Sequence, residues 1–342
     1  MSLDDYAYDL PEEFIAQTPC EPRDAARLLV LERATGAVTH RAFRDLAEYL
    51  RAGDVLVFND TRVLAARLAA RKAGTGGRAE ILMLKRLAPL KWEVLVGGKR
   101  LPLGTVLEID GRPGLSAVIL EDLGGPRRVV QYSQPISPLL EQIGQVPLPP
   151  YIHAPLADPE RYQTVYAQHP GAAAAPTAGL HFTPELLARL AAGGVQLAYV
   201  TLHIGLDTFA PVSEAQVASR QLHGEWCAVT AETAALINAA KREGRRVIAV
   251  GTTSTRTLEA AALRAPAGQA VAAFEDTVTL FIQPGDPLRV VDGLITNFHL
   301  PRTTLLMLVS ALAGREPLLA AYEIAKRAGY RFFSFGDAML IV

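Results

Sequence analysis

Hydrophobic and polar positions follow two textures along this chain. Near the start, RLLVLER and DVLVFND read as single apolar strands. From residue 62 to 132 the apolar runs are short: AEILMLKRL, KWEVLVGG, TVLEID, LSAVIL and RRVVQY. GTGG, GGKRLPLG, DGRPG and DLGGP punctuate them. Strands this short and this evenly broken by turn formers predict a small barrel or sandwich. The proline-rich VPLPPYIHAP at 146–155 predicts an extended connector. Beyond it strands and helices alternate. Thr183-Pro184-Glu185 opens a helix with a cap and a proline at its first position, and Gly193-Gly194 closes it. QLAYVTLHI, RRVIAV and VVDGLIT read as strands, and residues 231–242, 253–265 and 302–313 as helices. The alternation predicts an α/β layered fold. The first two strands are assigned to it, which makes the β-rich segment an insertion. The expected organisation is a larger α/β domain of residues 1–60 plus 152–342, with a smaller, basic β-barrel domain of 61–151 inserted.

Composition narrows the class. Of 342 residues, 50% are hydrophobic and 20% charged, enough apolar surface for a folded core and too much for disorder. The longest largely apolar stretch, 305–313, falls well short of a membrane span and predicts a buried helix. The acidic start, MSLDDYAYDLPEEF, lacks the apolar run of a signal peptide. Cys20 and Cys227 stand alone, without disulfide or zinc spacing, and fit reduced thiols of a cytoplasmic protein. Net charge is −1, yet residues 62–128 hold 13 Lys and Arg against 6 Asp and Glu. A basic β domain on a neutral body suits a nucleic-acid surface, unless its charge is spread evenly around the barrel.

The chemistry gathers where strands end. RRVIAV runs into Gly251-Thr252-Thr253-Ser254-Thr255-Arg256, VVDGLIT into Asn297-Phe298-His299, QLAYVTL into His203-Ile204-Gly205, and DVLVF into Asn59-Asp60-Thr61-Arg62. Ligands of α/β sheets bind beyond the carboxyl ends of strands, and helix N-termini favour anionic groups. The Gly251 loop is neither a Walker loop nor a GxGxxG fingerprint, and hydroxyl-rich helix starts are commonly just caps. Arg256 suits a substrate carboxylate or merely a neighbouring Glu. Asn59-Asp60-Thr61 suits an Asx turn. Tyr162 and Tyr166, with Arg161, suit base stacking or plain packing. His181, His203, His223 and His299 lie in four separate segments. A lone histidine is most often structural; four at element ends raise the prospect of convergence, on catalysis or on a metal. No HExxH or paired-cysteine motif supports the metal.

Eight stretches then match one family in order. They are Tyr8-Asp9-Leu10-Pro11, Arg27-Leu28-Leu29-Val30, Val57 through Arg62, Arg161-Tyr162-Gln163-Thr164-Val165-Tyr166, Pro176 through Thr183, Val250 through Glu259, Thr296-Asn297-Phe298-His299-Leu300-Pro301, and Tyr330-Arg331-Phe332-Phe333 with Gly336-Asp337-Ala338-Met339. The sequence resembles the S-adenosylmethionine:tRNA ribosyltransferase-isomerases of queuosine biosynthesis from residue 8 to 339. It departs from their pattern at Asp207-Thr208-Phe209, around Arg220, and at Asp286.

The resemblance implies a larger α/β and a smaller β-barrel domain. It implies that S-adenosylmethionine is a substrate that donates its ribosyl portion. The acceptor would be 7-aminomethyl-7-deazaguanine at the tRNA wobble position, giving epoxyqueuosine with release of adenine and methionine. No cofactor or metal is required, no membrane is involved, and a monomer is expected. The chemistry needs a base to take a proton beside the sulfonium and a donor to help adenine leave. His181 and His203 are the first acid–base candidates, then His223 and His299, with Asp337 in reserve. Arg256 and the amides of Gly251, Thr252 and Thr253 would hold the methionine carboxylate, while Asn59, Asp60, Arg62, Thr177, Gly179 and Asn297 would line the pocket. An ordinary methyltransferase would instead yield S-adenosylhomocysteine and usually carries a glycine-rich loop after its first strand, which is missing here. A histidine-metal hydrolase would be stopped by chelation. A non-catalytic RNA-binding module would not need polar residues clustered at strand ends.

Overall fold

A computed structural model describes residues 2–205 and 214–342; Asp207-Thr208-Phe209, one departure from the family pattern, lies outside them. The strands are β1 (Arg27–Leu31), β2 (Val38–Ala42), β3 (Val55–Asn59), β4 (Thr61–Val63), β5 (Arg67–Lys72), β6 (Arg78–Arg86), β7 (Lys91–Gly98), β8 (Val106–Ile109), β9 (Ser116–Gly124), β10 (Arg127–Tyr132), β11 (His169–Ala172), β12 (Gln196–Leu202), β13 (Gln221–Val229), β14 (Val247–Val250), β15 (Phe274–Leu280), β16 (Gly293–Asn297) and β17 (Ala338–Ile341). The helices are α1 (Leu140–Ile143), α2 (Pro184–Ala192), α3 (Glu214–Ser219), α4 (Ala231–Arg242), α5 (Thr252–Leu263), α6 (Thr304–Ala313) and α7 (Arg315–Arg327).

Two compact units result, one of residues Met1–Arg62, Pro150–His169 and Ala175–Val342, the other of Val63–Pro149 and Pro170–Ala174. The smaller unit is a closed six-stranded antiparallel barrel in the order β10-β7-β6-β5-β8-β9, filled by Leu68, Ile81, Val94, Leu107, Ala117 and Val130. The mixed α/β fold class read from the sequence stands, barrel included.

The larger unit is built on a nine-stranded sheet in the order β15-β13-β12-β3-β14-β16-β17-β1-β2. Its centre, β12-β3-β14-β16, is parallel; β17 runs against β16 and alongside β1, and β13 and β15 run antiparallel. The central strands are apolar at nearly every position because both faces are covered. Val55, Val57, Ala249 and Leu294 pack with α5 and α6 on one face. Leu56, Phe58, Val250 and Ile295 pack with α2 on the other.

This two-sided cover fixes where a ligand can enter. The connection from β3 to β12 carries α2 on one face, whereas that from β14 to β16 carries α5 on the opposite face. The chain therefore departs in opposite directions on either side of the β3–β14 boundary. A crevice opens at such a switch point, beyond the carboxyl ends of the strands.

Thr183 caps α2 through the Leu186 amide at 3.1 Å, and Thr230 caps α4 through the Thr233 amide at 3.1 Å. Both helices match their predicted spans closely. Gly251 must be glycine: its φ of +91° sits in the region side chains avoid, and that turn swings the chain from β14 directly into α5. β13 and β15 escape the hydrophobic pattern, since QLHGEWCAV and FEDTVTL are half polar and lie at the antiparallel flank with one side exposed.

Candidate functional site

The carboxyl ends of β3, β12, β14 and β16 deliver Asn59, His203, Gly251 and Asn297 to one edge of the sheet. Asn59 ties the switch point together. Its amide donates to the Leu202 carbonyl at 3.0 Å and to Thr253 Oγ1 at 3.2 Å, while Oδ1 accepts from the Thr61 and Leu202 amides. The contact with the Thr61 amide is the Asx turn the sequence suggested. Asp60 points to the other face of the sheet. Its Oδ1 accepts from Thr201 at 2.7 Å, and Oδ2 lies 3.6 Å from His169 Nε2. Burial raises the Asp60 pKa, against the lowering effects of Thr201 and His169.

His203 is the half-buried imidazole of the edge. Its Nδ1 lies 2.8 Å from Thr61 Oγ1. Its ring stacks on Trp226 with centroids 4.7 Å apart and planes at 18°, and its amide donates to the Trp226 carbonyl at 2.9 Å. Burial, then the nearby His169, lowers its pKa, so the ring is neutral near pH 7.

His181 belongs to a second cluster on the same edge. Thr177 Oγ1 donates to Asn297 Oδ1 at 2.9 Å, and Asn297 Nδ2 contacts His181 Nε2 at 3.2 Å and the Phe333 carbonyl at 3.2 Å. The amide donates, so His181 Nε2 accepts and Nδ1 carries the proton. The ring lies against Phe43 at 4.9 Å, and its pKa is pushed down to about 3 by burial, then by Arg331 and Arg23. Gly179 has no room for a side chain: a Cβ there would meet Tyr166 Oη at 2.0 Å.

The other sequence candidates lie elsewhere or are already engaged. His299 is buried on the α6–α7 side, its Nε2 2.9 Å from Thr296 Oγ1, its main chain held by Tyr322 and Tyr8, and its pKa pushed down to about 4 by burial. His223 is exposed on β13, with Nε2 3.1 Å from Gln216. Asp337 is buried, with both oxygens taken by backbone amides, Arg27 and Arg331, at 2.8 Å each. Arg62 pairs with Glu160 at 2.5 Å near the surface. Arg256 is buried and donates through Nη1 to Glu225 and through Nε to the Leu280 carbonyl at 3.3 Å, leaving Nη2 without a partner among the described residues. Of the two readings of Arg256, this is the neighbouring Glu. Tyr162 is buried in the core, and Tyr166 packs against it, 4.9 Å from Phe58. Among the described residues no three His, Cys, Asp or Glu side chains are grouped as metal ligands. Arg220 and Asp286, two departures from the family pattern, pair with each other at 2.6 Å.

The sequence placed Thr61 only in a turn and gave no role to Thr201, Glu225 or Trp226. Glu225 is buried and bridges Arg256 to the Gly205 amide at 3.1 Å, tying α5 to the loop that carries His203. Its signal was present only as an acidic residue in an otherwise strand-like stretch.

The profile of a family described as queuosine biosynthesis protein matches residues 3–341. Proteins of Symbiobacterium thermophilum and Heliobacterium modesticaldum, both named S-adenosylmethionine:tRNA ribosyltransferase-isomerase, are 53% and 54% identical to this chain. The first alignment covers 100% of both chains and the second 98% of both. A crystal structure of S-adenosylmethionine tRNA ribosyltransferase from Thermotoga maritima is 40% identical, covers 99% of this chain and 100% of its own, and superposes with a TM-score of 0.57.

Proposed function

This chain belongs to the queuosine biosynthesis family of S-adenosylmethionine:tRNA ribosyltransferase-isomerases, and on that premise we propose the reaction its strand-edge site performs. It transfers and isomerises the ribosyl portion of S-adenosylmethionine onto 7-aminomethyl-7-deazaguanine at the tRNA wobble position. The products are epoxyqueuosine-tRNA, adenine and methionine.

The observation that carries the role of the site is the neutral, oriented His203 beside the switch point. Thr61 Oγ1 also lies 3.4 Å from the His169 carbonyl, an acceptor for its single proton in the tautomer this scheme uses. His203 Nδ1–H then donates to Thr61 Oγ1, and Nε2 keeps the lone pair a base needs. The sulfonium acidifies the hydrogens on the adjoining ribose carbon, and His203 Nε2 takes one of them. Adenine leaves with the proton that His203 took from the ribose carbon, while the neutral His181 Nδ1–H gives its departing ring a hydrogen bond. The substrate amine then attacks, and methionine departs as the epoxide closes. The Gly251, Thr252 and Thr253 amides at the α5 N-terminus receive the methionine carboxylate, and Asn59, Asp60, Thr177, Gly179 and Asn297 line the pocket. Arg256, Asp337, His299 and Arg62 act as scaffold, since their hydrogen-bonding atoms are largely taken by the protein itself, and His223 has no role in the scheme. The scheme calls for no metal or redox group.

The reading includes a monomer acting in the cytoplasm. Among the described residues no single helix is long and apolar enough to cross a membrane; α6 and α7 reach that length only as a pair bent by 110°.

The test is product analysis with S-adenosylmethionine and tRNA bearing the aminomethyl base. Adenine and methionine together support the reading, and S-adenosylhomocysteine would replace it with methyl transfer.

A further inference from the structure

The barrel carries twelve Lys and Arg against seven Asp and Glu between residues 63 and 149. Four of the cations have carboxylate partners: Arg67 with Glu80, Arg71 with Asp110, Arg127 with Glu93 and Arg128 with Asp122. The remaining eight divide between the two ends: Lys85, Arg86 and Lys91 flank the β6–β7 turn at the end where the chain enters and leaves, and a second group gathers at the other rim. Strand register places Arg71 opposite Arg78, Ala79 opposite Gly98, and Lys72 opposite Leu107. The β5–β6 turn and the β7–β8 loop thus meet at one rim of the barrel, bringing Lys72, Arg78, Lys99 and Arg100 together. None of these four has a carboxylate partner among the described residues, and Arg78, Lys99 and Arg100 are exposed.

This rim is built rather than loose. The Lys72 ammonium donates to the Arg100 carbonyl at 2.6 Å and to the Lys99 carbonyl, clamping the loop that presents both cations. Arg100 is held at φ +54°, a conformation non-glycine residues rarely adopt and that persists only when surroundings impose it. The chain enters and leaves the barrel at the opposite end, where Arg67 bridges to Gln145. The barrel's two aromatic side chains, Trp92 and Tyr132, are buried, so the rim offers charge without a stacking platform.

From this geometry, and resting on the tRNA-modifying activity proposed above, we propose that the Arg78–Lys99–Arg100 rim binds the phosphate backbone of tRNA. Charge without exposed aromatics favours contacts to phosphates over stacking on base faces, so the surface positions the substrate. Each phosphate neutralised contributes to the salt dependence of binding, about 0.7–0.9 in the slope of log K against log salt.

The experiment measures binding of unmodified tRNA to the full chain by fluorescence anisotropy, across a salt series. The triple variant Arg78→Ala, Lys99→Ala, Arg100→Ala should weaken binding about tenfold at low salt and reduce the slope by about 2. A matched triple at the opposite end, Lys85→Ala, Arg86→Ala, Lys91→Ala, should leave both near wild type. The single reversal Lys99→Glu, at an exposed position that does not test folding, should also weaken binding severalfold. Unchanged affinity and slope in the rim variants, or an equal loss in the matched triple, would overturn the proposal. The readout needs no turnover, so wild-type protein that binds tRNA through this rim yet releases no adenine would refute the proposed reaction and leave the rim standing.

Discussion

Thr61 Oγ1 sits 2.8 Å from His203 Nδ1, joining the first residue of β4 to the residue that follows β12, just beyond the neighbouring parallel strands β3 and β12. With Trp226 stacked on the same ring, the imidazole is fixed in plane. Removing the hydroxyl while keeping the shape tests that arrangement. Thr61→Val should lower kcat by about 10²-fold, the low end of what a positioned base contributes, with a smaller change in KM. Thr61→Ser should restore most of the loss. Steady-state kinetics of the two variants, compared across pH, separate a tautomer effect from a general loosening of the site.

The activity should fall on the acid side only below pH 6.5. His203 works as a neutral base, and burial together with His169 lowers its pKa, so the neutral form persists to lower pH than in a free imidazole. His169→Ala removes the second of these causes and should move the acid limb of kcat/KM upward. A limb that stays in place in this variant would argue that another group titrates.

Stability should fall with pH for a different reason. His181 and His299 are buried neutral, with pKa values pushed down to about 3 and about 4. Below pH 6.5 the unfolded chain takes up the protons that the folded chain refuses. Each histidine then costs about 1.4 kcal/mol of stability per pH unit, until its folded pKa is reached. His299→Asn should flatten the slope of stability between pH 6.5 and 4, as read from denaturant unfolding at several pH values.

Much of this arrangement was legible in the sequence, and the gaps have physical causes. The strand–loop–helix units at Gly251, Asn297 and His203 could be read because buried parallel strands are apolar throughout and their polar exits stand out. Periodicity could not reveal which exits share an edge, since strand order depends on pairings far apart in sequence. The role of Glu225 stayed hidden for a related reason: a buried carboxylate makes sense only beside Arg256, 31 residues away. Asp337 and His299 looked chemical because polar residues at element ends do, yet their hydrogen-bonding atoms go to Arg27, Arg331 and Thr296.

The buried pair of Arg256 and Glu225 makes its own prediction. Arg256→Met alone strands the Glu225 carboxylate and should destabilise the fold by about 3–5 kcal/mol. Adding Glu225→Gln should recover part of that loss, because no uncompensated charge stays buried. A double-mutant cycle by chemical denaturation gives the coupling directly.

Adenine release from S-adenosylmethionine in the presence of tRNA bearing the aminomethyl base, followed with wild type and His203→Ala side by side, tests the reaction and its base together. Wild type should release adenine and methionine in equal amounts, and His203→Ala should lose at least about 10²-fold in rate. Production of S-adenosylhomocysteine by wild type, or a His203→Ala protein that releases adenine at the wild-type rate, would contradict that reaction or its base.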